Sequence, residues 1–378
     1  MQTIADPRVF PRDIRNVPDI EFRWHEWAEQ SLTAATGDRI DASDAQLQRA
    51  MVSALVARDV GRIKSTLDSA PSAVVYRHLF RALVAAWGDP ALDGDAQLVA
   101  HGFAIPIVLV AVADTAVELP MTLGDSQAIS DVLTEHDCLA GNKTFVVANV
   151  LAASSLVEID SLPRWLAWRA ADDAMNETRD IAPAPLRVVA GQEGAHLRYL
   201  AGSALAARNA PLFGQVDAGR WGLPLAKVLS NALAANAVQL LALPRAPAPP
   251  VIALQQGELA QREIAMQLFA TNAIRNLRAN FGEPSAVISS HRTDGGGELR
   301  LSLSSVFGER DAEGFRCPLF PYDRVEDVLA QMIGLLRSCR IPDIRVLEGI
   351  HGDREPGSGR PLFFRADAIG PGKAVPYH

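Results

Sequence analysis

The chain has 378 residues, 48% of them hydrophobic and 21% charged, a globular composition far from the polar signature of disorder. Its net charge of −8 disfavours nucleic acid, because a nucleic-acid binder draws most of its affinity from a basic face. Length alone points to two or three domains, since single cores rarely grow beyond roughly 250–300 residues.

The first residues, Met1 to Pro7, lack a basic region followed by an apolar run, so no secretory signal is expected. The most apolar stretch, 103–113, contains Pro106 and is shorter than the roughly 20 residues of a spanning helix. Cys138, Cys317 and Cys339 are odd in number and far apart, which reads as small buried hydrophobes, not a disulfide framework. A cytoplasmic protein without membrane contact is expected, and alanine-rich usage points to a GC-rich bacterial genome.

Residues 1–23, with Pro7, Pro11 and Pro18 among charges, read as an extended arm. Residues 24–100 read as a helical region. Within it, Ser43-Asp44-Ala45-Gln46 has the form of a capping box, and Val75, Leu79, Phe80, Leu83, Val84 and Trp87 recur at helical spacing. The segment 101–158 reads as β-α-β: a β-rich run over 105–111, a short helix over 125–136 and a second strand over 144–148.

The rest is read as two α+β modules, 159–245 and 253–350, with the same order of elements, separated by a proline-rich linker over 246–252 that works as a semi-rigid spacer. Each module opens with a helix, over 160–175 and 259–281. In the second, Met266, Phe269, Ala270, Ala273, Leu277 and Phe281 form the buried stripe; Gly282 closes the helix and Pro284 stops it. A hairpin follows in each, pairing 186–190 with 197–199, and 286–290 with 299–303. Leu299, Leu301 and Leu303 alternate with Arg300, Ser302 and Ser304, the pattern of a strand with one buried and one solvated face.

A third β-like piece comes next, at 211–213 and 315–320, where Pro318 demands an edge position. Helices over 225–235 and 325–339 follow, the second with Asp323 and Glu326 as a cap pair, and strands over 238–243 and 344–347 close the modules. The shared Leu-Arg and Val-Leu pairs support an internal duplication; two generic modules coinciding is the competing reading. Residues 351–378 read as a loop-like tail. The fold class is α+β (mixed): a helical N-terminal region, β-α-β, then two β-β-(β)-α-β modules with mainly antiparallel sheets.

Searches for chemistry mostly fail. Gly372-Lys373 has Asp367 where a phosphate-binding loop needs its first glycine, Gly141-Asn142-Lys143-Thr144 has His136 there, and Gly357-Ser358-Gly359 lacks a third glycine. Gly124-Asp125-Ser126 resembles a serine-hydrolase nucleophile block, but no histidine has an aspartate three residues before it; Ser126 reads as helix-start polarity. Glu135-His136-Asp137-Cys138 packs ligand types too closely to converge on one ion. No metal site and no cofactor are expected.

The least empty cluster is His291, Arg292 and Asp294 at the second hairpin, with Glu298 across the turn, and His351, Asp353, Arg354 and Glu355 after the last strand. Loops at strand ends carry function, and a histidine beside a carboxylate suits acid–base work; a solvated turn is the blander reading. Arg262, Arg275 and Arg278 lie on one helix, where a basic surface would require them to join. Trp165 and Trp168 read as core anchors. The leading expectation is a non-enzymatic binding, assembly or regulatory protein acting through protein–protein contacts, its partner another protein or a second copy in a homodimer. The alternative is a small-molecule hydrolase or transferase with His291, Arg292 and Asp294 as catalytic groups.

Overall fold

The computed structural model describes residues 19–33, 37–57, 59–87, 89–90, 98–111, 117–118, 126–136, 138, 143–153, 156, 187–188, 195–207, 218–234, 237–293, 296–305, 312–320 and 323–366. The chain is an α+β protein in two compact units, one spanning Asp19–Ile264 and one running from Ala265 onward. No helix of the described residues is long and apolar enough to cross a membrane.

The first unit opens with four helices, α1 (Asp19–Thr33), α2 (Gly37–Val56), α3 (Val60–Asp68) and α4 (Ala73–Trp87). Trp24, Leu47, Met51, Ile63, Leu79 and Leu83 fill their shared core, the buried stripes that helical spacing requires. Ser43-Gln46 is not a cap: α2 begins six residues earlier and runs through it. Asp44 faces neighbouring helices instead, accepting from Ser31 Oγ at 2.5 Å and His78 Nε2 at 2.9 Å.

The sheet of this unit contains β1 (Asp89–Pro90), β2 (Leu98–Ala111), β4 (Lys143–Leu151) and β6 (His196–Ala207) in the order β1-β2-β6-β4, with β7 (Val238–Leu240) pairing β2. Helix α5 (Ser126–Glu135) connects β2 toward β4 as read from the sequence, but β6 lies between those strands, antiparallel to both. Helices α5 and α6 (Ala218–Ala234) cover one face, packing Ile129, Leu133, Trp221, Leu225 and Leu229 on Phe103, Ile105 and Ile107.

Among the described residues, the expected hairpin of 186–190 with 197–199 is not seen. Instead β5 (Arg187–Val188) pairs with β3 (Val117–Glu118) in a separate ribbon. Distant partners that bury β6 on both edges outcompete the nearer segment. The proline-rich stretch is not a free spacer either. Ala248 exchanges both backbone hydrogen bonds with Ala104 on β2, at 2.8 and 3.0 Å, and Pro250 already begins helix α7 (Pro250–Asn280). Gly257 of α7 lies against Leu197 and Tyr199, whose hydroxyl donates to Leu254 O at 3.3 Å.

The boundary between units falls inside α7, which is longer than the pattern suggested. In the second unit, β8 (Pro284–Thr293), β9 (Gly296–Ser305), β10 (Ala312–Pro318) and β11 (Asp343–His351) form a sheet in the order β10-β9-β8-β11. Here the β8–β9 hairpin forms as expected, with β10 antiparallel at the edge and β11 parallel to β8. Pro318 sits on that edge strand, where its missing N–H costs no ladder bond. Among the described residues the two modules differ in strand pairing; the first module's expected helix over 160–175 and strand over 211–213 lie outside them.

Met266, Ala270, Ala273 and Leu277 of α7, with Val328, Leu329, Met332 and Leu336 of α8 (Val325–Ser338), pack on Ala286, Ile288, Leu299, Leu301 and Leu303. Phe281 lies outside this core and is exposed, because the chain has left the helix there. Gly282, at φ +97°, makes the left-handed exit. Asp323 does not cap α8; its carboxylate accepts from Phe320 N at 2.6 Å and closes the preceding turn.

Candidate functional site

Alternation along a strand places successive side chains on opposite faces, and in the second unit both faces of the hairpin are buried. The face away from the helices carries Ser285, Val287, Ser289 and His291 from β8 and Glu298, Arg300, Ser302 and Ser304 from β9. This corrects the expectation of a solvated face: Arg300 is 0% exposed and Ser302 and Ser304 are 1% exposed. Their cover is the segment after β11, residues 352–366, part of the 351–378 stretch that the sequence predicts to be a loop-like tail.

That segment first turns back on itself. Glu355 N donates to Arg360 O at 2.8 Å, Gly359 N to Glu355 O at 3.1 Å, and Leu362 N to Asp353 O at 3.2 Å. Gly357 and Gly359 have φ of +93° and +66°, so the tight 353–362 loop uses glycine where other residues would be strained. Gly357-Ser358-Gly359 thus serves turn geometry, and Ser358 Oγ donates to Glu355 Oε2 at 2.7 Å. Residues 354–360 are exposed. Beyond the loop, Phe363 lies against Gly314 on β10 and Phe364 joins Val287, Leu347 and Ala366 in a small apolar cluster.

Arg300 fastens the loop from beneath. Its Nη1 donates to Asp353 O at 2.5 Å and Leu362 O at 3.0 Å, the two carbonyls at the loop's base. Its Nη2 binds the Asp353 carboxylate and its Nε binds Glu298. Arg316 on β10 grips Glu298 from the side, with Nη2–Oε2 at 2.9 Å and Nε–Oε2 at 3.0 Å. Two guanidinium groups face two carboxylates, which is the pairing a buried charge needs. The hydrogen bonds to Glu298 hold Arg316 above its ordinary pKa.

His291 closes the other end. Its Nδ1 donates to Gly352 O at 2.7 Å, so in the neutral ring Nε2 accepts, and Ser289 Oγ lies 2.8 Å from it. Burial lowers the pKa of His291 to about 4; Arg300 and His351 push the same way, against the Gly352 carbonyl and Glu298. His351 pairs with His291 across the parallel strands. It too is lowered by burial, against its hydrogen bond to the Glu348 backbone.

A serine hydroxyl on a neutral imidazole is the geometry of general-base activation. Ser289 is 0% exposed and His291 1% exposed, however, so in this arrangement no reacting molecule reaches the pair. Arg292 is exposed on the other side of the strand, apart from His291, and Asp294 lies outside the described residues. The two clusters recognised after separate strands do become one: Glu298 with His291, and His351 with Asp353. Arg354 and Glu355 belong to the exposed loop.

Sequence reasoning missed Arg300, Arg316, Ser289, Phe363 and Phe364. The available signal was the serine-rich alternate face, short for a solvated strand, with a pair of aromatics downstream. Among the other candidates, Arg262 is buried, and Arg278 donates to Cys339 O and Arg340 O, both at 3.1 Å. Arg275 and Arg278 are both exposed while Arg262 is not, so the three do not share one exposed stripe. Ser126 begins α5, and Trp165 and Trp168 lie outside the described residues.

Comparison with known proteins finds no matching family model, no matching characterised protein and no matching solved structure.

Proposed function

We propose that this is a non-enzymatic binding, assembly or regulatory protein acting through protein–protein contacts, and that the 353–362 loop is the element it presents. The observation carrying this reading is Arg300. A fully buried guanidinium joins both base carbonyls of the loop and the Asp353 carboxylate to Glu298, while residues 354–360 stand in solvent. Rigid scaffolds that position exposed loops are the common basis of recognition, and a preorganised loop loses less entropy on binding. The partner is another protein or a second copy of this chain. Cytoplasmic location belongs to the same reading, supported by three cysteines, odd in number and far apart in the sequence, that suit small apolar side chains better than a disulfide framework. The hydrolase or transferase reading built on His291, Arg292 and Asp294 has no comparable support, because His291 is sealed beneath the segment.

The test compares the full chain with its Arg354→Ala/Arg360→Ala variant, whose substitutions lie in the exposed loop. Expected are an unchanged melting temperature and loss of a complex that the wild type forms, seen by light scattering for self-association and by affinity enrichment for another protein. A wild type that forms no complex, or a variant that keeps every one, refutes the proposal.

A further inference from the structure

Residues 352–366 are fastened to the sheet on both sides of the exposed 354–360 stretch. His291 Nδ1 holds Gly352 O at the root, and Arg300 holds the loop base. Farther on, Phe364 N donates to Ser302 Oγ at 3.2 Å and Arg345 Nη1 to Ala366 O at 2.7 Å. Between these points the Phe364 ring packs on both imidazoles, with centroids 4.9 Å from His351 and 6.1 Å from His291; the imidazoles are 5.9 Å apart. Two titratable rings thus form the floor under the segment.

The groups facing His291 are Ser289 on its own strand, Glu298 and Arg300 on β9, Arg316 on β10, His351 on β11, and Asp353 in the segment. With both histidines neutral, two cations meet two carboxylates. A proton on either ring leaves a surplus positive charge in a buried site, which is costly unless the site opens to water. His351 Nε2 is buried without a hydrogen-bond partner among the described residues, so a proton there also creates a donor without an acceptor.

We propose that residues 352–366 are an acid-released strap: protonation of His291 and His351 lifts the segment from the sheet and dissolves the loop's fixed geometry. The loss of partner binding that follows rests on the loop being the contact element. The release itself does not, so the two readings fail separately. The sign follows from the neutral form being favoured while the strap is down. Closure is fully stable above the free imidazole pKa of about 6.5 and weakens as pH falls toward the bound value of about 4. For His291 alone, opening increases about twentyfold from pH 7 to pH 5, and His351 adds in the same direction.

Hydrogen–deuterium exchange of the full chain at pH 7, 6 and 5, with labelling times scaled for intrinsic rates, tests this. Peptides covering 353–366 are expected to lose protection at least tenfold between pH 7 and pH 5, while β8, β9 and α8 keep theirs. The variant His291→Asn/His351→Gln, which takes up no proton at these positions, is expected to hold its strap protection constant. A flat wild-type profile overturns the proposal. So does equal release in the double variant, which would assign the effect to groups other than the two histidines. If the double variant unfolds, the wild-type profile decides, supplemented by His291→Asn alone with a smaller expected pH response.

Discussion

Replacing Arg300 with methionine removes the charge that joins the loop to the sheet while keeping most of the side chain's volume. Glu298, whose side chain is 5% exposed, then has Arg316 as its remaining cation, and Asp353, 31% exposed, rehydrates. Removing one partner of a buried pair costs roughly 3–5 kcal/mol. The two-donor grip of Arg316 on Glu298 brings the expectation to the low end, and the base carbonyls of residues 353 and 362 each lose a bond of about 1 kcal/mol, partly regained from water. The expected loss is about 3–4 kcal/mol. Slow-exchanging amides of β9 report the unfolding of this unit independently of the other, and their protection should fall about a hundred- to a thousandfold. Arg316→Met is the internal control: with its side chain 52% exposed, it should cost about 1 kcal/mol or less. If Arg300→Met costs no more than the control, Arg300 does not anchor the loop.

Three further outcomes are expected. In Gly314→Ala the new Cβ would stand 2.3 Å from Phe363 Cε1; the ring must move, and protection of 362–366 should fall while β9 keeps its own, by exchange at pH 7.5. In Gly257→Ala the Cβ would meet Tyr199 Oη at 2.6 Å and Leu197 Cδ1 at 2.8 Å, and the first unit should lose roughly 1–3 kcal/mol through overpacking, read from slow amides of β6. Burial of neutral His291 makes the second unit gain stability as pH rises from about 4 to 6.5, by at most about 3 kcal/mol. Urea titrations across that range, followed by exchange of β8, should show the slope in wild type and a smaller one in His291→Asn.

Much of the second unit was legible because its information is local. Gly282 and Pro284 mark the helix exit, Leu299, Leu301 and Leu303 declare one buried face, and Pro318 declares an edge. What was not legible depends on distant cover. Alternation says that Arg300 opposes the leucines, but only residues 353 and 362 decide that it is buried. The same limit explains the missing first hairpin, since β5 and β6 find partners at 117–118 and on β2 and β4. Ser43-Asp44-Ala45-Gln46 matches a cap by composition, yet Asp44 is used across helices by Ser31 and His78. His291 and His351 stood out separately as polar residues near strand ends; their meeting required the parallel pairing of β11 with β8.

Photo-cross-linking from the loop tests the central claim most directly. With a photoreactive phenylalanine analogue at Ser358, in the exposed loop, and at Val52 on α2 as an exposed control, irradiation in cells should give one dominant adduct from position 358 alone. That adduct should disappear when Arg300→Met is added. Adducts equally diffuse at both positions, or a 358 adduct indifferent to Arg300, would contradict a contact loop held in place from below.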